Sequence, residues 1–268
     1  MSTLQDKSAL FSSEKQFHLA VKPEEIGKYV ILPGDPGRVS KIAALLDNAV
    51  QVAQNREYNT YTGYLCGEKV SVVSTGIGGP SAAIALEELV ACGAHTFIRV
   101  GTSGGMDVKV CGGDLVIATA AVRQEGTSRE YLPAGYPAVA DFAVVSALRD
   151  AAEPLSADED GKRYHIGVVQ SKDSFYGETS PETMPVGKML QETWEAYLHC
   201  GCLASEMETA ALFSVGLVRQ VRVGAVLTAI WNVERPKAGL PDTVCNDSTR
   251  AIACAVEALK RLISQDRE

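Results

Sequence analysis

Thr96-Phe97-Ile98-Arg99-Val100-Gly101-Thr102-Ser103-Gly104-Gly105 is the stretch on which the reading of this chain depends. Its first half has the β-branched and aromatic content of a buried strand, broken only by one arginine. Its second half is dense in glycine and hydroxyl residues and predicts a turn with uncovered backbone N–H groups. A guanidinium on an apolar strand is costly to bury unless something negative meets it. Two readings are open: an anion held by Arg99 with the following hydroxyls and amides, or a salt bridge to one of the chain's own carboxylates.

Two other strands end in similar turns. Residues 29–32, Tyr-Val-Ile-Leu, run into Pro33-Gly34-Asp35-Pro36-Gly37-Arg38, and a helix is expected over residues 40–46. Strand, glycine turn and helix start with an arginine make an anion-binding corner, though the Walker spacing is missing. Residues 70–75 form an apolar strand ending in Gly76-Ile77-Gly78-Gly79-Pro80-Ser81, with a helix expected over 82–92. Pro80 and Ser81 break the dinucleotide fingerprint, and no acidic residue ends a strand about 20 residues later. In open α/β folds ligands bind at the C-terminal ends of strands, so the three turns either converge on one small dianion or are unrelated.

Further strands are expected over 115–122, 164–170 and 222–231, and helices over 142–152, 188–198, 206–218 and 245–263. The irregular segment 123–141 is placed near the site mouth. Strands and helices alternate after residue 70, which gives an α/β class: one domain over residues 17–268 around a twisted central mixed β-sheet flanked by helices, preceded by a frayed N-terminus over 1–16. A chain of 268 residues is long enough for such a core. The net charge of −8, with no basic cluster, argues against nucleic acid as a partner. No apolar run approaches the ~20 residues of a membrane span, and the first residues lack a signal-peptide core, so a cytoplasmic protein is expected. Seven cysteines without recurrent spacing do not form a disulfide framework, and Cys200-Gly201-Cys202 lacks partners at zinc-site spacing. Cys66, Cys92, Cys245 and Cys254 are expected to pack as small hydrophobes.

Four motifs in order carry a resemblance. Pro33-Gly34-Asp35-Pro36 with Arg38, Ser74 to Ser81, Arg99 to Gly104, and Ser205-Glu206-Met207-Glu208-Thr209 together resemble the nucleoside phosphorylase family, and within it the bacterial uridine phosphorylase branch. The likeness covers the chain from about Phe17 to the last helix. It implies phosphorolysis of uridine to uracil and ribose 1-phosphate, with inorganic phosphate as co-substrate and no required cofactor. Residue by residue, it implies that Gly34, Arg38, Arg99 and Thr102 hold phosphate, and that Arg56 reaches a neighbouring subunit's phosphate. Met207 and Glu208 would lie against the ribose, His18 would come from the neighbour to the 5′-hydroxyl, and Ser103, Gly104, Phe175 and Glu178 would meet the base. Arg38, Arg99 and Glu208 would carry the catalysis. Glu57, Ile77 and Ser81 match positions that can bind a monovalent cation between subunits. The family assembles as homo-oligomers with sites shared between paired subunits, hexamers in this branch.

The chemistry agrees with those residue types. Phosphate is already a nucleophile, so no activated serine or cysteine is needed; positioning of phosphate and a held ribose are. At the base end the chain departs from the branch, which often carries Gln, one residue, then Arg after the Phe-Tyr pair. Here Glu178 takes the glutamine position, Ser180 follows where the arginine would stand, and Val233 replaces another common arginine. Glu178 is then protonated, accepts the uracil N3–H, or points away. Rival readings are a purine nucleoside phosphorylase, for which Asn232 is the nearest counterpart of the purine-protonating aspartate, a hydrolytic nucleosidase, and a non-catalytic nucleoside-binding protein. Arg99→Ala is expected to abolish phosphate dependence and leave folding intact.

Overall fold

The quoted stretch folds as one unbroken strand, Thr96–Gly105, in the computed structural model, which describes residues 14–156 and 163–268. The turn expected over its second half is absent. Residues 101–105 pair onward with the strand Arg222–Asn232, from Leu227 to Asn232. The glycines serve close approach instead: a Cβ on Gly101 would meet Leu227 Cδ2 at 2.6 Å and Arg99 Nη2 at 2.8 Å.

In chain order the strands are β1 Tyr29–Pro33, β2 Asp47–Asn55, β3 Tyr58–Leu65, β4 Glu68–Val73, β5 Thr96–Gly105, β6 Leu115–Gln124, β7 Ala138–Val139, β8 Tyr164–Lys172, β9 Ala204–Glu206 and β10 Arg222–Asn232. The helices are α1 Pro36–Ala43, α2 Gly79–Ala91, α3 Thr127–Tyr131, α4 Phe142–Ala152, α5 Phe175–Thr179, α6 Gly187–His199, α7 Thr209–Arg219, α8 Glu234–Lys237 and α9 Thr249–Gln265. Single 3₁₀ turns form at Pro23–Glu25 and Pro181–Thr183. Helix α1 begins earlier than expected because Pro36 suits the first helical turn and the Asp35 carboxylate caps it, accepting from Gly37 N at 2.8 Å.

The sheet is mixed and partly closed. Strand β5 pairs in parallel with both β1 and β10, β10 pairs antiparallel with β6, β6 pairs in parallel with β8, and β8 leads through β9 back to β5. Strands β4, β3 and β2 extend it beyond β1. Central strands send alternate side chains into two cores, as a strand buried on both faces must. Tyr29 and Ile31 join Ile98, Val226 and the α4 and α9 residues on one face. Val30 and Leu32 join Phe97, Ala225 and the α2 and α7 residues on the other. Arg99 follows Phe97 by two and so takes the second face, where α2 and α7 begin.

The expected frayed segment 1–16 lies largely outside the described residues; Gln16, which is described, is pinned by backbone bonds to Val21 at 2.8 Å and Ala20 at 2.9 Å. The sequence over 154–162 is acidic and predicts an exposed connection, of which residues 157–162 lie outside the described residues. Cys66 is exposed in the β3–β4 hairpin turn and does not pack as a small hydrophobe. Both turn residues, Cys66 and Gly67, take positive φ (51° and 78°), as a primed hairpin turn requires. Among the described residues no helix is long and apolar enough to cross a membrane.

Candidate active site

Arg99 is 3% exposed, so its charge must be answered from within the protein. Two carboxylates do so. Arg99 Nε donates to Glu206 Oε2 at 3.0 Å, and Nη2 donates to Glu208 Oε2. Strand alternation alone would have sent residues 206 and 208 to the same face only if the strand continued. It does not: β9 stops at Glu206, and Glu208 bends out at the start of α7, where both side chains meet the guanidinium. Glu206 also accepts from the N–H groups of Glu208 at 2.9 Å and Thr209 at 2.9–3.0 Å, and from Ser171 Oγ. An anion at a helix N-terminus is well placed there. Glu208 Oε1 accepts from Gly78 N at 2.5 Å, at the start of α2.

Burial pushes the Glu208 carboxyl above its ordinary value; Arg99 counters this and Glu206 adds to it. For Arg99, burial works against the charge, but Glu208 and Glu206 outweigh it and hold the guanidinium above its ordinary value. Of the two open readings of Arg99, the structure shows the salt bridge. Arg99 Nη1 remains buried without a hydrogen-bond partner.

That free donor faces Arg38. A Cβ built on Gly34 would lie 3.8 Å from Arg38 Nη2 and 3.9 Å from Arg99 Nη1, so the two guanidiniums flank one point above the glycine. Arg38 is positioned by its Nη1 donating to Val100 O at 3.2 Å. Burial, then the nearby Arg99 charge, lower the Arg38 pKa. Two cations brought together at a shared opening favour an anion between them. Gly34→Ala should therefore fill the cradle: the phosphate KM should rise about tenfold, the equivalent of ~1.4 kcal/mol, with melting little changed. Unaltered phosphate saturation would remove Gly34 from the cradle.

These groups line a cavity of about 1810 Å³ that also takes in Thr102, Ser103, Gly104, Met207, Phe175 and Glu178. The structure thus brings the expected phosphate, ribose and base residues of one chain to a single hollow. It adds residues the sequence reading missed: Gln124, Gln170, Lys172, Ser205, Trp194 and Trp231. The Phe175 ring stands edge-on to Trp231 at 6.4 Å. Glu178 does not point away; it pairs with Lys172 Nζ at 2.8 Å and accepts from Ser205 Oγ at 2.7 Å. Asn232 is buried and spent on structure, its amide donating to the carbonyls of Asp107 at 2.8 Å and Val110 at 2.9 Å. Of the segment 123–141, only Gln124 lines the cavity. Arg123 folds the rest onto itself, donating to the carbonyls of Ser128, Leu132 and Pro133 at 2.7 Å and Tyr136 at 2.6 Å.

Three expected residues, Arg56, His18 and Ser81, are not among those lining this hollow. Arg56 is exposed in the β2–β3 turn, at φ 52°. His18 is held by Glu88, whose Oε1 lies 2.6 Å from its Nδ1, and by Asn55 Nδ2 donating to its carbonyl at 2.7 Å. Glu57 and Ile77 reach the cavity lining, and Ser81 Oγ donates to Glu57 Oε1 at 2.7 Å. That hydrogen bond holds the Glu57 carboxyl below its ordinary value.

Fold and site together define an α/β protein whose cavity brings two arginines to one point beside a buried carboxylate. The chain belongs to the phosphorylase superfamily, whose family model matches residues 28–264. It is 54% identical to the uridine phosphorylase of Treponema pallidum (strain Nichols), over 96% of this chain and 98% of that one. It is 45% identical to the uridine phosphorylase of Thermococcus kodakarensis, over 94% and 88%. A guanosine phosphorylase of Halorubrum lacusprofundi is 37% identical, over 92% and 99%.

Proposed function

We propose that this chain is a pentosyltransferase that cleaves uridine by phosphorolysis, giving uracil and ribose 1-phosphate. The observation that carries this reading is the pair of guanidiniums, Arg38 Nη2 and the unpartnered Arg99 Nη1, facing one point above Gly34 while Arg99 also holds Glu208. Phosphate entering between the arginines, with Thr102 beside it, is aimed at the anomeric carbon. Glu208, released in part from Arg99, accepts the ribose hydroxyls, and Met207 packs against the sugar. The arginines then oppose the charge of the nucleophile as the sugar turns cationic, which is electrostatic catalysis without a covalent intermediate.

Inorganic phosphate is a co-substrate in this scheme, and no other cofactor takes part. Glu57 and Ser81 offer a carboxylate and a hydroxyl oxygen close together beside Ile77, a hard donor set suited to a monovalent cation at a subunit interface. The exposed Arg56 and the partly exposed His18, neither of which lines this chain's own cavity, support a homo-oligomer in which each completes the neighbour's site, with the hexamer of the uridine phosphorylase branch as the assembly. A cytoplasmic location suits an enzyme whose substrates, uridine and inorganic phosphate, are small and water-soluble.

The test is to follow uridine, thymidine and inosine with and without phosphate. Uridine should be cleaved only when phosphate is present, with ribose 1-phosphate as product. Cleavage in its absence would make the chain a nucleosidase. Faster turnover of inosine would make it a purine enzyme, the reading favoured by its likeness to the guanosine phosphorylase. Binding without turnover would leave a nucleoside-binding protein.

A further inference from the structure

Glu206, the last residue of β9, is 3% exposed and has no step of its own in the proposed reaction. Its Oε2 meets Arg99 Nε and Nη2, each at 3.0 Å, so one carboxylate oxygen grips one edge of the guanidinium. A guanidinium is planar, and its donors are fixed relative to one another. Holding the Nε–Nη2 edge therefore sets the direction of the third corner, Nη1, the atom without a partner in the protein. The other oxygen, Oε1, is held from β8. Ser171 pairs in register with Glu206, is fully buried, and donates its hydroxyl proton to Oε1. Ala210 N, 2.8 Å from Ser171 Oγ, can only donate, so the single hydroxyl proton is left for the carboxylate. One hydroxyl on β8 thus joins the first turn of α7 to the carboxylate that aims Arg99. Without it, Oε1 would keep Thr209 N at 3.0 Å.

We infer that Ser171 is a positioning residue for phosphate: through Glu206 it fixes the plane of the Arg99 guanidinium, so that Nη1 faces the point above Gly34 where Arg38 Nη2 also arrives. The inference rests on the phosphorolysis reading and deepens it. Ser171 is not among the residues lining the cavity, whereas its neighbours Gln170 and Lys172 are, because successive residues of a strand face opposite ways. Its hydroxyl therefore acts on geometry. A carboxylate held firmly at one oxygen alone can swing, and the guanidinium edge swings with it, spreading Nη1 over a range of directions. Phosphate is the ligand that reads this spread, since Nη1 is the donor left to meet it. The sugar side is anchored separately, by Gly78 N donating to Glu208 Oε1 at 2.5 Å.

The test follows cleavage of uridine with inorganic phosphate by wild type, Ser171→Ala, Ser171→Cys, Glu206→Gln and the double variant S171A/E206Q. In S171A the phosphate KM should rise about tenfold while the uridine KM stays within about twofold, the first being the order of one lost hydrogen bond to a charged group. Cysteine has nearly the shape of serine but is a weak donor, so S171C should fall between wild type and S171A. Because Ser171 works through Glu206, the two losses should not add: S171A/E206Q should be no worse than E206Q alone. A merely loosened β8–α7 corner would act differently, raising both KM values together as the melting temperature falls. If S171A does not fold, S171C and S171C/E206Q carry the same comparison. An unchanged phosphate KM, a uridine KM that rises in proportion, a cysteine variant no better than alanine, or additive losses would overturn the inference while leaving phosphorolysis intact. Failure of wild type to cleave uridine with phosphate would overturn the phosphorolysis reading, and the inference with it.

Discussion

Arg99→Ala should lose activity and stability together. Removing one preorganised donor to transition-state charge lowers turnover on the order of 10²–10³-fold. In the proposed site Arg99 is such a donor beside Arg38, and its Nη1 is the atom without a partner in the protein. The structural loss has a separate origin. Glu206 and Glu208 are 3% and 5% exposed, and Arg99 is the cation that both contact. Breaking a buried pair from one side costs about 3–5 kcal/mol, because the remaining charge is stranded. For a chain of this size each kcal/mol lowers the melting temperature by roughly 2–4 °C. Folding is therefore not expected to be untouched, in contrast to the view from sequence alone. Adding Glu208→Gln to Arg99→Ala should restore part of the lost melting temperature and none of the turnover. A single variant that melted like wild type, or that still saturated normally with phosphate, would remove Arg99 from the centre of the site.

The class of fold and the strand ends were legible because hydrophobic period and glycine placement are local properties. Tyr29 to Leu32 and Thr96 to Val100 announce buried strands, and Asp35-Pro36 announces a helix start. The second half of β5 was misread because glycine in a strand and glycine in a turn look alike; only Leu227 and Asn232, more than a hundred residues away, show that the reason is crowding. The arginines of the cradle were legible as anomalies on apolar ground, Arg99 most of all. Lys172 was not, since a lysine at a strand end is ordinarily solvated, and its burial comes from Glu178 and Ser205, on separate elements. Nor could spacing decide that Glu206 and Glu208 both turn inward, because that depends on where β9 stops.

Glu208→Gln separates the two duties of this carboxylate. The amide keeps the shape and can still accept from Gly78 N, which Glu208 Oε1 meets at 2.5 Å, so the start of α2 should hold. What disappears is the charged acceptor proposed for the ribose hydroxyls. A hydrogen bond to a charged group is worth about 1.5–3 kcal/mol, so kcat/KM for uridine should drop roughly 10- to 150-fold. Phosphate should respond in the opposite direction. Glu208 competes for Arg99, and a neutral amide competes less, so phosphate should bind at least as tightly as to wild type. The pH dependence of stability gives a third readout. Burial raises the folded pKa of Glu208 above its ordinary value of 4.5. A carboxyl shifted upward favours the folded state while protonated; that contribution is complete below the ordinary value and is lost as pH rises through the folded pKa. Glutamine has no such titration. The melting temperature of the variant relative to wild type should consequently climb as pH is raised from below 4.5 toward neutrality. Parallel melting curves for the two proteins across that range, together with weaker phosphate binding in the variant, would mean that Glu208 serves the cradle as an anchor for Arg99 and has no part in holding the sugar.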